Sequence, residues 1–245
     1  MEHEEILASI ENEIVSNYGY EINSMMEALD LSLQIFKGNY AEAKRAYDFL
    51  KLPEILLTIF QPQNKAAMML YLCEVYRTFF NFETSAASLI DHSRVFIKKH
   101  EVKNDSFFYE YDNMITKKFI NNPLSKFVKD MRNYVTHKGY PPMSLSFSLP
   151  GNKEHEYLLA SSLLLEWDGW TEKSREYINS QGNEIHLYSV VEEYYKVVDD
   201  FYKWMFTRLR EIHVTDYAAV NALIKKRNDF LDYRSSHPVP KDKDK

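Results

Sequence analysis

Apolar side chains recur along this chain mostly three and four residues apart, the spacing that lays them on one face of an α-helix. Residues 2–17 carry Ile6, Leu7, Ile10, Ile14 and Val15 in that pattern. A second helix is expected from Asn23 to Phe36, stopped by Lys37-Gly38-Asn39, and a short third from Tyr40 to Leu50. Pro53 opens an apolar turn or two, Glu54 to Phe60, ending at Gln61-Pro62. Gln63 to about His100 has neither Pro nor Gly and keeps a stripe through Met69, Cys73, Tyr76, Phe80, Leu89 and Ile97. One long helix is the simplest reading, with a weak point at Asn81 to Ser85. Asn104 is placed to cap the next, which runs through Phe107, Tyr111 and Ile115 to Phe119.

After Pro142 the period changes. Met143, Leu145, Phe147 and Leu149 alternate with serines, Pro150-Gly151-Asn152 forms a turn, and Glu156 to Ala160 returns as the partner strand. Leu163 to Trp170 leads into a short helix, Thr171 to Asn179, and a long aromatic one follows from Glu184 to about His213. Its stripe of Tyr188, Tyr194, Tyr195, Phe201, Tyr202, Trp204 and Phe206 belongs to a core or a dimer interface. A last helix is expected from Asp216 to Asp232, then a disordered tail from 236 to 245. The pattern predicts an all-α fold with a small β-hairpin insertion at about 143–160. It is read as an N-terminal helical region, residues 1–62, packing on a helical domain, residues 63–235, in one structural domain overall.

Composition narrows the class. The net charge of −6 argues against a protein that coats nucleic acid over its whole surface, though not against a local basic site. Cys73 is the sole cysteine, so no intramolecular disulfide can form. The acidic start M-E-H-E-E-I-L has no signal-peptide character, and no apolar run approaches the ~20 residues of a membrane span. A soluble cytoplasmic protein is expected. Asp199-Asp200 and Glu192-Glu193 are adjacent pairs that spread around their helix, and the histidines outside the stretch below form no ligand cluster. Neither a metal nor a cofactor is expected.

The clearest chemistry lies in Asn121 to Pro142. Asn122 caps, Pro123 takes the first helical position, and Lys138-Gly139 followed by Pro141-Pro142 closes the helix. With Leu124 at 0° and about 100° per residue, Phe127, Val128, Met131 and Val135 form one buried stripe. Arg132 falls near 80°, Asn133 near 180° and His137 near 220°, so the trio faces away from that stripe. Asn133 and His137 are four residues apart and can touch. Arg132 sits about 140° from His137, so one helix does not focus both on one atom, whereas two facing copies can. Six Lys or Arg residues lie between Lys117 and Lys138 against Asp130 as the one acid, and Lys126, Lys129 and Lys138 are candidates for binding phosphate.

On these residues the sequence resembles the HEPN superfamily of helical domains. Its mark is an Arg, four to six residues, then a His, usually with a polar residue directly after the Arg. Arg132-Asn133-Tyr134-Val135-Thr136-His137 fits the four-residue form and supplies the Asn. Two other pairs, Arg94 with His100 and Arg208 with His213, have compatible spacing but an apolar residue after the Arg. The resemblance implies a bundle of long antiparallel helices and metal-independent RNA cleavage, in which the ribose 2′-hydroxyl attacks the adjacent phosphate to leave a 2′,3′-cyclic phosphate. It implies catalytic roles for Arg132, Asn133 and His137, a site shared across a homodimer, and a toxin or phage-defence role with an antitoxin or other partner protein. His137 is the natural proton carrier, and Arg132 the fixed charge for the phosphate. A non-catalytic helical module that binds nucleotide, RNA or a protein partner uses the same residues and stands as the alternative.

Overall fold

The computed structural model describes residues 2–49, 52, 55, 58–59, 61–101, 105–146 and 156–237. In chain order the helices are α1 (Glu2–Val15), α2 (Tyr18–Phe49), α3 (Lys65–Phe96), α4 (Asp105–Ile115) and α5 (Pro123–His137), then α6 (Ser161–Leu165), α7 (Glu172–Ser180), α8 (Leu187–Ile212) and α9 (Val214–Ser236). Wider π-type turns extend α3 over Ile97–Glu101 and α4 over Thr116–Ile120. Three short strands, β1 (Met143–Ser146), β2 (Glu156–Ala160) and β3 (Glu184–His186), make one antiparallel sheet in the order β1-β2-β3. The fold is all-α with a small β insertion, as the hydrophobic period predicts.

Two elements differ from the sequence reading. The stop at Lys37-Gly38-Asn39 does not occur, and α2 runs through it as one helix. A helical glycine costs only about 1 kcal/mol relative to alanine. Here Phe36, Ala43 and Tyr47 are buried on both sides of Gly38, and the Asn39 side chain bonds back to the Ile35 carbonyl at 3.1 Å. The single long helix expected after Gln63 is observed, without the break allowed at Asn81 to Ser85, and Phe82, Glu83 and Ser85 lie buried within a continuous α3. Finally, Glu184–His186 is a third strand rather than the start of α8. It pairs Leu158 with His186 and Ala160 with Glu184 on the outer side of β2, while Met143 faces Leu159 and Ser146 faces Glu156 across β1 and β2. Asn104, the turn at Pro150 to Asn152, Phe147, Leu149, most of Pro53 to Phe60 and the tail from 238 lie outside the described residues.

The chain divides into two compact units. One comprises residues 1–30 and 206–245. There α1 packs on α9 through Ile10, Ile14 and Val220, and Lys226 pairs with Glu13 at 3.0 Å. Gly19 is required in it, since a Cβ there would meet the Asp216 carbonyl oxygen at 2.1 Å. The other unit, residues 31–205, holds α3 to α7, the sheet and most of α2 and α8. Its aromatic core stacks Phe36 on Phe82 and Tyr195, and sets Phe107 against Trp204 and Phe119 against Phe201. Most of the α8 stripe is core.

Glu192 and Asp199, one from each acidic pair of α8, have structural partners in this unit. The Tyr40 hydroxyl donates to Glu192 at 2.5 Å, and Lys44 reaches both Glu192 and the Tyr188 hydroxyl. Burial pushes Glu192 up, but those donors outweigh it and hold the carboxyl below its ordinary range. Asp199 is held down in the same way by Lys203 at 2.6 Å and Lys37 at 3.1 Å. No helix of the described residues is long and apolar enough to cross a membrane.

Candidate functional site

Helix α5 has the ends its sequence dictates. The Asn122 side chain accepts from the Ser125 amide at 3.2 Å, and Pro123 follows at the first helical position. At the far end Gly139 takes a φ of 110°, and the Lys138 and Gly139 amides both donate to the Tyr134 carbonyl, at 2.7 and 3.3 Å. The Tyr76 hydroxyl of α3 then donates to the Pro141 carbonyl at 2.6 Å and ties down the segment leaving the helix.

The buried face of α5 is broader than the expected stripe. Leu124, Phe127, Val128 and Met131 are buried as predicted, but Tyr134 and Asp130 are buried with them, and Val135 is only half-buried. The cause is α7, which packs along that side. Tyr134 stacks on Trp170 with centroids 5.5 Å apart and meets Trp167 edge-on, while Phe127 lies against Trp170 and Tyr177. One Asp130 oxygen accepts from the Thr171 amide at 3.0 Å, the Thr171 hydroxyl at 2.7 Å and the Ser174 hydroxyl at 2.6 Å. The carboxylate thus sits at the start of α7, where unpaired amides favour an anion. The single acid of the basic stretch is therefore turned away from its lysines and used to dock a helix.

Arg132, Asn133, Lys126 and Lys129 line a cleft between α5 and α3, with Arg94 and Asp91 on the opposite lip and Tyr194 of α8 in its wall. Arg132, Asn133 and Lys129 are exposed at its mouth, and Lys126 is half-buried. The most buried polar residue of its lining is Glu83, which is 2% exposed and has no hydrogen-bond partner for either carboxylate oxygen. Burial pushes its carboxyl well above the ordinary carboxylate range, and the Arg132 charge opposes that shift without cancelling it. Glu83 was not singled out from the sequence, although the signal is present. It falls on the same face of α3 as Phe79, Phe82, Ala86 and Leu89, where a charge is rare without a reason.

His137 and Lys138 do not line this cleft. Both are exposed at the end of α5, and among the described residues neither His137 nor Asn133 has a side-chain hydrogen-bond partner. One chain thus brings Arg132, Asn133, Lys126 and Lys129 together and leaves His137 around the helix. The two other Arg–His pairs have different surroundings. His213 is buried with its Nδ1 2.8 Å from Asp216, an arrangement local to the start of α9. His100 packs on Phe96, while Arg94 pairs with Asp91 at 3.1 Å and shares the cleft with Arg132. Among the described residues no three His, Cys, Asp or Glu side chains form a metal-binding group. No family model, curated protein or solved structure matches the chain.

Proposed function

We propose that this protein is a HEPN-type endoribonuclease acting as a homodimer, in a toxin or phage-defence setting. The observation that carries the reading is the division of the motif on α5. Arg132 and Asn133 open onto a basic cleft, while His137 stands exposed and unpartnered on the other side of the same helix. An exposed arginine–asparagine–histidine set serves no packing purpose, and two copies of α5 can combine the halves.

In the reaction the 2′-hydroxyl oxygen bonds to the adjacent phosphorus as its proton passes to a His137 imidazole, and the bond from phosphorus to the 5′-oxygen breaks. The departing 5′-oxygen takes a proton, and the phosphate becomes a 2′,3′-cyclic diester. Arg132 supplies a permanent planar charge to the phosphoryl oxygens, and Asn133 orients the imidazole or donates to the phosphate. Lys126 and Lys129 hold the flanking backbone, with Lys138 near His137. The requirement for a 2′-hydroxyl selects RNA over DNA.

The test is induction of the protein in cells, with growth measured, together with RNA cleavage by purified protein in the presence of a chelator. Cyclic-phosphate products that disappear in His137→Ala are expected. Identical RNA profiles from wild type and His137→Ala contradict the reading. A second reading, a non-catalytic helical module that binds nucleotide, RNA or a protein partner, is favoured by one observation: among the described residues lining the cleft of one chain there is no histidine. It predicts RNA binding that survives His137→Ala and no cleavage by the wild type.

A further inference from the structure

The seam between α3 and α5 does not end at the cleft. Tyr76, Glu83 and Ile90 recur every seven residues along α3, a spacing that keeps them on one face of the helix. Glu83 and Ile90 line the cleft with Lys126, Lys129, Arg132 and Asn133 of α5. Two turns before Glu83, on that same face, Tyr76 meets the segment that leaves α5. Its hydroxyl donates to the Pro141 carbonyl at 2.6 Å, and its ring centroid lies 4.9 Å from that of Tyr140. The two helices therefore run antiparallel along the seam, with Tyr140 at the end opposite Lys126.

An exposed tyrosine is ordinary on a protein surface. Tyr140 differs in being 58% exposed and yet fixed in place. Gly139 turns the chain with a φ of 110°, and Pro141 confines Tyr140 itself to extended backbone. Further on, Met143 is paired with Leu159 in the sheet. The ring is thus anchored from both directions along the chain while much of it stays open. A ring held this way loses little freedom when it makes a contact.

Charge selects what that ring receives. Lys126, Lys129 and Arg132 follow one another at three-residue spacing over the seam, and Asp91 on the far lip is paired with Arg94 at 3.1 Å. From Lys126 to the end of α5 at His137 the helix extends about 17 Å. Inorganic phosphate satisfies a cation but leaves the ring bare. A duplex keeps its bases stacked on one another and offers the ring no free face. A single strand meets both demands, with a charged backbone for the cations and open base faces for the ring.

We infer that a single-stranded RNA segment lies along the seam between α3 and α5, its phosphates on Lys126, Lys129 and Arg132 and one base stacked on Tyr140. The inference rests on RNA being the ligand, as proposed above, but not on its being cut. Every base has a π face, so Tyr140 favours unpaired strands without choosing one base over another. It is a positioning residue: by holding a base at one end of the seam it sets which phosphate lies beside Arg132.

Fluorescence polarisation with a labelled 2′-O-methyl RNA tests this, because that strand cannot be cut by attack of its own 2′-oxygen. Tyr140→Phe, which keeps the ring, is expected to bind the single strand as wild type does. Tyr140→Leu, which keeps an apolar side chain on Tyr76, should bind it about tenfold more weakly. Its affinity for the annealed duplex and for inorganic polyphosphate, which carry charge but no free base, should not change. Lys129→Ala should weaken all three and flatten the log–log salt dependence of single-strand binding by about 0.7. An unchanged single-strand affinity in Tyr140→Leu overturns the inference. So does an equal loss for polyphosphate, which would make Tyr140 a mere support for the cations. A fall in dimer mass of Tyr140→Leu by light scattering also overturns it, since the ring would then lie between subunits. Absence of single-strand binding by wild type overturns it together with the nuclease reading. Cleavage of unmodified RNA is scored separately. The expected binding without cleavage upholds the stacking contact and removes the nuclease reading, whereas cleavage with unchanged single-strand affinity in Tyr140→Leu does the reverse.

Discussion

Glu83 is a residue whose protonation depends on the fold. Burial raises its pKa and the Arg132 charge lowers it by less, so the folded chain holds a proton that the unfolded chain releases near pH ~4.3. The stabilisation linked to that proton is full below the unfolded value and is lost as pH rises through the folded one. Wild type should therefore lose stability relative to Glu83→Gln as pH rises from about 4.3, by up to about 1.4 kcal/mol per pH unit until the folded pKa is passed. Urea unfolding of both proteins across this range measures it, and a difference independent of pH contradicts it. At this scale the sequence is half legible. Angular position alone turns Arg132, Asn133 and His137 away from the core stripe, and Glu83 shows as an acid among Phe79, Phe82 and Ala86. That Glu83 and Arg132 face one cleft is not legible, because they lie on separate helices and only tertiary packing brings those together.

Helix α5 shows the same limit at the scale of an element. Its boundaries follow from Asn122, Pro123 and Gly139, local signals that act within a few residues. Its true buried width does not, because Asp130 and Tyr134 are covered by α7, whose contacts come from about forty residues further along the chain and depend on the intervening strands. An acid in a basic stretch reads as a solvated charge until its partners Thr171 and Ser174 are known. Asp130→Ala should cost about 2–4 kcal/mol, since it removes a charged acceptor and leaves buried donors at the start of α7 unpaired. Denaturant unfolding measures the loss, and a change below about 0.5 kcal/mol would mean that the carboxylate does not dock α7. At Gly139, whose φ is 110°, alanine should destabilise by about 1 kcal/mol or more, while Gly38→Ala within α2 should stabilise by up to that amount. Thermal melts of the two variants should shift in opposite directions. The continuation of α2 through Gly38 shows why its stop signal misleads: one glycine is a small penalty against the burial of Phe36, Ala43 and Tyr47.

For the molecule as a whole, the net charge of −6 and the basic cleft are compatible because Asp130, Glu192 and Asp199 are spent on internal partners, leaving the cations of α5 to the surface. The helical class and the strands at 143 and 156 were legible from the hydrophobic period. The third strand was not, since Glu184–His186 is too short to show a period and is defined by its pairing with β2. In the proposed homodimer, Arg132 of one subunit works with His137 of the other. Arg132→Ala and His137→Ala subunits, each inactive alone, should be unfolded and refolded together and assayed for RNA cleavage with a chelator present. Random pairing puts half of the chains in mixed dimers with one intact site of two, so about a quarter of wild-type activity should return. Activity no greater than that of the separate variants would contradict a shared site.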